Sequence, residues 1–244
     1  MIICFDLDDT LLNKKGEVTD YTLEVLNECK RRGHILVINT ARSLEYASTI
    51  IDIIKPHYSV LYAGALIVDE NRNIIYKDAI SAQKTNLIIK TLNTLGYNYS
   101  IQVLGKTLSS DPEIYGELTN FSNGYIGEAL KIIPRFMNAL DWEKIAKEYD
   151  VDYVTYRHNE WSRFSSKTVS KLNGLKVVME KEGITKENVI SFGDDTGDLP
   201  MILGSGIGVA MENSIDLVKE KVNYIAGLSY EDGVANFLVR YLNF

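Results

Sequence analysis

Two short segments concentrate carboxylates in a way that is costly unless something positive offsets it. Asp6-Leu7-Asp8-Asp9-Thr10 follows directly on the apolar run Ile2 to Phe5, and Gly193-Asp194-Asp195-Thr196-Gly197-Asp198 follows in the same way on Val189 to Phe192. Neighbouring carboxylates repel one another until a cation or positive side chains stabilise them, and Mg²⁺ is the usual hard-cation partner of carboxylate oxygens. Read singly, each segment is also a polar loop with helix-capping aspartates. Two of them behind two apolar strands point to one shared site. Thr40, behind the run Ile35 to Ile38, adds a hydroxyl at a turn whose backbone amides can hold a phosphate, with Arg42 close behind. Lys171 taken alone reads as a solvated lysine. Beside a phosphate and two acidic groups, however, a fixed cation is needed, and a lysine supplies one as a point charge.

These residues need elements to hold them. Ile2 to Phe5 reads as a buried strand, followed by a helix that Thr19 can cap, with Leu23, Leu26 and Cys29 on one face and Gly33 at its left-handed end. Ile35 to Ile38 is a second strand, Leu44 to Ile54 a helix, and Val60 to Tyr62 a third strand. Ala65 to Val68 and Ile74 to Tyr76 form a hairpin leading out of it. Continuous apolar strands alternating with helices imply a parallel sheet covered on both faces, where ligands gather at the carboxyl ends of the strands. From about Ser81 to Ser165 the pattern changes. A helix runs up to Gly96, Tyr97, Tyr99, Ile101 and Val103 alternate, and Gly105 to Gly127 is rich in Gly, Ser, Asn and Tyr. A helix near Asp141 to Tyr149, a strand Val151 to Tyr156 and the segment Glu160 to Phe164 follow.

After Thr168 the alternation resumes. A helix has Val169, Leu172, Leu175 and Met179 as its apolar stripe, and Val189 to Phe192, Ile207 to Ala210 and Asn223 to Ile225 are strands. Helices lie near Asp198 to Leu203, Ile215 to Glu220 and Tyr230 to Leu242. The expected fold class is therefore α/β: a Rossmann-like parallel sheet core, residues 1–80 and 166–244, with an inserted α+β domain, residues 81–165.

At 244 residues, 45% hydrophobic and 24% charged, the chain has the composition of a globular protein. No apolar run approaches the roughly 20 residues that span a bilayer. The opening Met1-Ile2-Ile3-Cys4-Phe5-Asp6 has no basic start and no cleavage site, so a cytoplasmic location is expected. Cys4 and Cys29 are too few for a disulfide framework. A net charge of −7 argues against a general nucleic-acid binder. Gly204-Ser205-Gly206-Ile207-Gly208 superficially matches a dinucleotide-binding loop, but its glycines precede an apolar strand instead of following one.

Asp6 to Thr10, Thr40, Lys171 and Gly193 to Asp198 resemble, in order and over nearly the whole chain, the four motifs of the haloacid dehalogenase superfamily of phosphohydrolases, in its Cof-like branch with a type IIB cap. Family-like context also appears in Gly208 to Asn213 and Glu231 to Ala235. The resemblance implies that Asp6 is the nucleophile and Asp8 the acid/base, and that Thr40 and Lys171 bind the phosphoryl oxygens. It implies Mg²⁺ held by Asp6, the Asp8 carbonyl and Asp194, with Asp198 in the same group orienting Lys171 or a metal-bound water. The expected substrate is a small phosphorylated metabolite, foremost a sugar phosphate, with Asp9, Arg42, Arg157 and His158 as further binding residues. Cap residues of Tyr115 to Tyr125, among them Asn120 and Tyr125, and the Arg157-His158 pair are expected to read the leaving group. Gly197 stands where the branch usually has Asn, and Ala41 where Gly is common; each departure bears on one polar or backbone contact and not on the reaction. The competing readings are a phosphotransferase or phosphomutase, distinguished by products with sugar acceptors, and a non-catalytic binding protein, for which an acid/base aspartate has little use.

Overall fold

Ile2–Phe5 forms β1, and all four residues are fully enclosed, as a strand in the middle of a two-sided sheet must be. The computed structural model describes residues 1–156 and 161–244. β1 pairs in parallel with β2 (Ile35–Asn39) on one side and β12 (Val189–Gly193) on the other, in a register that sets Phe5 beside both Ile38 and Phe192. The sheet continues through β3 (Tyr58–Leu61), β4 (Leu66–Asp69) and β5 (Ile74–Lys77) at one end. At the other end it continues through β13 (Ile207–Met211) and β14 (Tyr224–Ala226). Its order is β14-β13-β12-β1-β2-β3-β4-β5. β14 to β3 are parallel and β4 runs antiparallel to β3, so the expected parallel core with a hairpin at its edge is what forms. The third strand ends one residue earlier than its apolar pattern implies. Tyr62 and Ala63 turn away with left-handed backbones.

The helices of this unit are α1 (Asp20–Arg31), α2 (Leu44–Ile54), α5 (Lys171–Glu182), α6 (Leu199–Leu203), α7 (Asp216–Lys219) and α8 (Gly233–Leu242). Thr19 caps α1 by accepting from the Thr22 amide, and Gly33 follows the helix at φ 79°. α5 departs from expectation in an informative way. Its buried stripe is Lys171, Gly174, Leu175 and Val178, one residue round from the stripe expected at Leu172 and Met179. Burial on α5 is set by close backbone packing at Gly174, where a Cβ would stand 2.4 Å from Val60 Cγ1, and not by side-chain hydropathy alone.

The chain divides into two compact units, Met1–Arg42, Tyr46–Tyr76 and Ser170–Phe244 in one, Ser43–Glu45 and Lys77–Val169 in the other. The second holds β6 (Tyr99–Val103), β7 (Lys106–Ser109), β8 (Glu117–Leu118), β9 (Lys131–Pro134), β10 (Asp152–Tyr156) and β11 (Trp161–Ser165), in the order β10-β11-β9-β6-β7-β8. Pairing is antiparallel except between β7 and β8. Two helices, α3 (Ala82–Leu95) and α4 (Ala139–Tyr149), cover one face, where Ile88, Leu92, Trp142 and Ile145 pack on Tyr99, Ile101, Ile132 and Phe164. The polar stretch 105–127 thus carries two strands, and β9, which has no alternating pattern of its own, lies between β6 and β11. Among the described residues no helix is long and apolar enough to cross a membrane.

Candidate active site

The ends of β1, β2 and β12 lie side by side, and the loops leaving them bring the acidic segments together. Asp6 leaves β1 in extended geometry and donates its N–H to Phe192 O at 3.2 Å. The turn that follows is irregular, with Asp9 in the left-handed region (φ 55°). A residue with a Cβ adopts that conformation only when its surroundings hold it. Asn213 does so here: its Nδ2 donates to Asp9 O (2.7 Å) while its Oδ1 accepts from the Ser229 amide (2.9 Å). Thr10 Oγ1 then donates to Asp194 Oδ1 at 2.9 Å, tying the two acidic loops together.

The second loop is tight. A Cβ on Gly193 would lie 2.4 Å from Asp198 Cβ, so the chain passes Asp198 only because residue 193 is glycine. Asp198 Oδ2 accepts the amides of Asp194 and Asp195, each at 3.2 Å. Its Oδ1 lies 2.5 Å from Lys171 Nζ, and the same nitrogen is 2.8 Å from Asp6 Oδ1. Lys171 is the first residue of α5, capped by Ser170, which accepts from the Asn173 amide. Asp6, Asp194, Asp198 and Lys171 are all buried.

Three enclosed carboxylates thus face one ammonium. Burial pushes the Asp6 carboxyl up to about 8, partly relieved by Lys171 and reinforced by Asp198 and Asp194. Burial, with Asp198 beside it, likewise raises Asp194 to about 7 against the Thr10 hydrogen bond. For Lys171, burial works against the charged form, but the Asp198 and Asp6 carboxylates outweigh it and hold its pKa above the ordinary lysine value. Oxygens of Asp6, Asp194 and Asp198 lie within 4.8 Å of one another. An all-oxygen donor set with excess negative charge fits a hard divalent cation.

Around this centre, Thr40 is buried at the end of β2, its N–H donating to Val60 O and its Oγ1 accepting from the Arg42 amide. The Arg42 guanidinium grips Asp8 at both carboxylate oxygens, Nε to Oδ2 at 2.9 Å and Nη2 to Oδ1 at 2.6 Å. Asp8 and Asp9 are exposed. Asp6, Thr40, Lys171, Asp194 and Asp198 are therefore gathered within one unit, with Asp8 and Arg42 paired beside them. Asn120 and Tyr125 belong to the other unit, where Asn120 Oδ1 accepts from the Ser122 amide. Arg157 and His158 lie outside the described residues. Two contributors have little sequence signal. Asn213 sits inside a family-like segment without an obvious task, and Asn39 ends an otherwise apolar strand.

Residues 3–238 match the family model of the haloacid dehalogenase-like hydrolases. The chain belongs to that family. Among curated relatives, it is 28% identical to the 5-amino-6-(5-phospho-D-ribitylamino)uracil phosphatase YcsE of Bacillus subtilis, over 96% of this chain and 92% of YcsE. It is 24% identical to the pyridoxal phosphate phosphatase YbhA of Escherichia coli, over 99% and 98%. Its fold matches that of the subclass IIB sugar phosphatase BT4131 with a TM-score of 0.79, at 19% identity, covering 99% of this chain and 98% of that one. As a haloacid dehalogenase-like hydrolase of this Cof type the chain is a phosphatase, an enzyme acting on phosphorylated substrates.

Proposed function

We propose that this phosphatase hydrolyses a small phosphorylated metabolite, foremost a sugar phosphate, with Mg²⁺ as cofactor and through an aspartyl-phosphate on Asp6. The observation that carries this reading is the Lys171 ammonium fixed between Asp6 and Asp198 at 2.8 and 2.5 Å, with Asp194 in the same buried group. A lysine enclosed in this way is no solvated side chain, and the acidic residues around it outnumber it.

Asp6, Asp194 and the Asp8 carbonyl would hold the cation, with Asp198 behind them orienting Lys171. When bound, Mg²⁺ neutralises charge on the phosphoryl oxygens. An Asp6 oxygen attacks phosphorus in line, forming a P–O bond as the bond to the leaving oxygen breaks. Asp8 gives that oxygen a proton and later takes one from the water that cleaves the acyl phosphate, a role typically contributing ~10²–10⁴-fold. Arg42, gripping both oxygens of Asp8, sets the direction of that carboxylate. Thr40 and Lys171 hold the remaining phosphoryl oxygens.

A phosphorylated ribityl chain in the substrate name of YcsE, and the sugar phosphatase among the structural neighbours, support the substrate class. The acidic balance of the chain and its two free, buried cysteines support work on small metabolites in the cytoplasm rather than on nucleic acid. We assign substrate selection to the inserted domain, residues 81–165.

The test is phosphate release from a panel of phosphorylated metabolites with Mg²⁺, using Asp6→Asn as the blank. Sugar phosphates are expected to head the panel, and Asp6→Asn is expected to lose on the order of 10⁴-fold or more in kcat. Acid-quenched wild-type enzyme should carry phosphate on Asp6. Turnover by Asp6→Asn near the wild-type rate would end the covalent reading.

A further inference from the structure

β2 is apolar from Ile35 to Ile38 and then changes character at Asn39, whose side chain is nevertheless completely buried. Its Nδ2 lies 2.8 Å from the backbone carbonyl oxygen of Lys171 and 3.2 Å from the Met201 sulfur. The contact with Lys171 fixes the orientation of the amide, because a rotated amide would set two oxygens against each other. In that orientation the Oδ1 atom has no hydrogen-bond partner among the described residues.

An unpartnered buried carbonyl is unfavourable, and an apolar side chain of similar volume would spare the core that penalty. Packing therefore does not account for an amide here. Its contacts with the sulfurs of Met201 and Cys4 are weak ones; what Asn39 does strongly, and leucine cannot, is donate to the Lys171 carbonyl. That carbonyl belongs to the first turn of α5, a turn seated by other means as well. A Cβ on Gly64 would lie 2.2 Å from Ser170 O, and one on Gly174 would meet Val60, so α5 presses against β3 and the turn after it. The Asn39 bond ties the same turn of α5 to the end of β2, one residue before Thr40.

We propose that Asn39 is a positioning residue: by holding the backbone of Lys171 it sets the distance between the Lys171 ammonium and Thr40. This rests on the function proposed above, in which those two groups hold phosphoryl oxygens. A lysine reaches its target through a long, flexible stem, so fixing its root restricts where its ammonium can stand. Displacement of a catalytic group by about 1 Å can cost on the order of 10²-fold in rate.

The experiment compares Asn39→Leu, Asn39→Asp, Met201→Leu and Lys171→Met with wild type, using p-nitrophenyl phosphate, Mg²⁺ and orthovanadate. Asn39→Leu removes the bond together with the orphaned carbonyl, and Asn39→Asp keeps the shape while setting an oxygen against the Lys171 carbonyl. Both are expected to lower kcat about 10- to 100-fold. KM should change less than about 3-fold, and orthovanadate inhibition should weaken in step with kcat. The melting temperature of Asn39→Leu should stay within about 2 °C of wild type or rise. Met201→Leu, which leaves the Lys171 bond in place, should retain kcat. Wild-type kcat in Asn39→Leu overturns the proposal, as does a fall in kcat that Met201→Leu reproduces. Lys171→Met separates the two levels. If it is inactive while Asn39→Leu is normal, only the positioning role fails; if it is active, the proposed function fails with it.

Discussion

The two acidic loops of the parallel-sheet unit use their aspartates in opposite ways. The loop Gly193–Asp198 is braced from within as well as from outside: Asp198 accepts two amides of its own loop besides the Lys171 ammonium, is 1% exposed, and leaves no room for a Cβ at residue 193. The loop Asp6–Thr10 is held largely from outside, by Asn213 at the Asp9 carbonyl and by Asp194 at the Thr10 hydroxyl. Its Asp8 side chain is 58% exposed and gripped by Arg42. A carboxylate that must stay in place is wired into its own backbone. The exposure of Asp8 suits the proposed exchange of protons with a leaving group and with water, both of which must reach it.

Asp8→Asn and Asp198→Asn test this contrast most severely. Asp8→Asn is expected to lower kcat ~10²–10⁴-fold. It should shift the melting temperature by no more than about 4 °C, because an exposed ion pair contributes at most ~1 kcal/mol. Asp198→Asn offers one oxygen where two are used, so either Lys171 or the loop amides lose an acceptor. It should cost both about 10²–10³-fold in kcat and roughly 3–10 °C. Equal thermal shifts in the two variants would erase the distinction.

Gly193→Ala is expected to come next. Forcing a methyl against Asp198 costs about 1–3 kcal/mol as overpacking, or roughly 2–12 °C, read by calorimetry. A variant as stable as wild type would show that the second loop can yield after all.

The smallest effect concerns protons and the cation. Asp6 and Asp194 have folded values near 8 and 7 against an ordinary 3.8. The folded metal-free chain therefore binds more protons than the unfolded one, and its stability falls as pH rises from about 4 towards 8. A cation must displace those protons and is helped by higher pH. The gain in melting temperature from millimolar Mg²⁺ should be larger near about pH 8.5 than near about pH 5.5, by roughly 3–8 °C. An equal gain at both pH values would count against carboxylate ligation by this pair.

Much of the parallel unit is legible in the sequence because its strands are continuous apolar runs, and each acidic loop stands directly behind one. The presence of a helix after Thr168 follows from the same alternation, although α5 begins at Lys171, two residues later than a stripe starting at Val169 implies. The orientation of α5 does not, because Gly174 forms packing surface without a side chain and Lys171 is buried by carboxylates far away in the chain. In the second unit, β9 is a four-residue strand that begins with Lys131 and ends with Pro134. Nothing local marks it, and it is a strand because β6 and β11 supply ladders on both sides. Asn39 carries no sequence signal and Asn213 only that of the family-like segment around it, since both work on backbone carbonyls of distant segments.

The place of β1 between β2 and β12 has a consequence for how the chain is made. At translation speeds of about 5–20 residues per second, roughly 8 to 30 seconds separate the emergence of β2 from that of β12. Until then one side of β1 presents unpaired amides and carbonyls along four apolar residues, an open template for pairing with another chain. β1, the strand that Asp6 follows, thus emerges well before β12 and has one side among the last to be sheltered. Nascent chains halted before residue 189 are the form of this protein that aggregation should claim first.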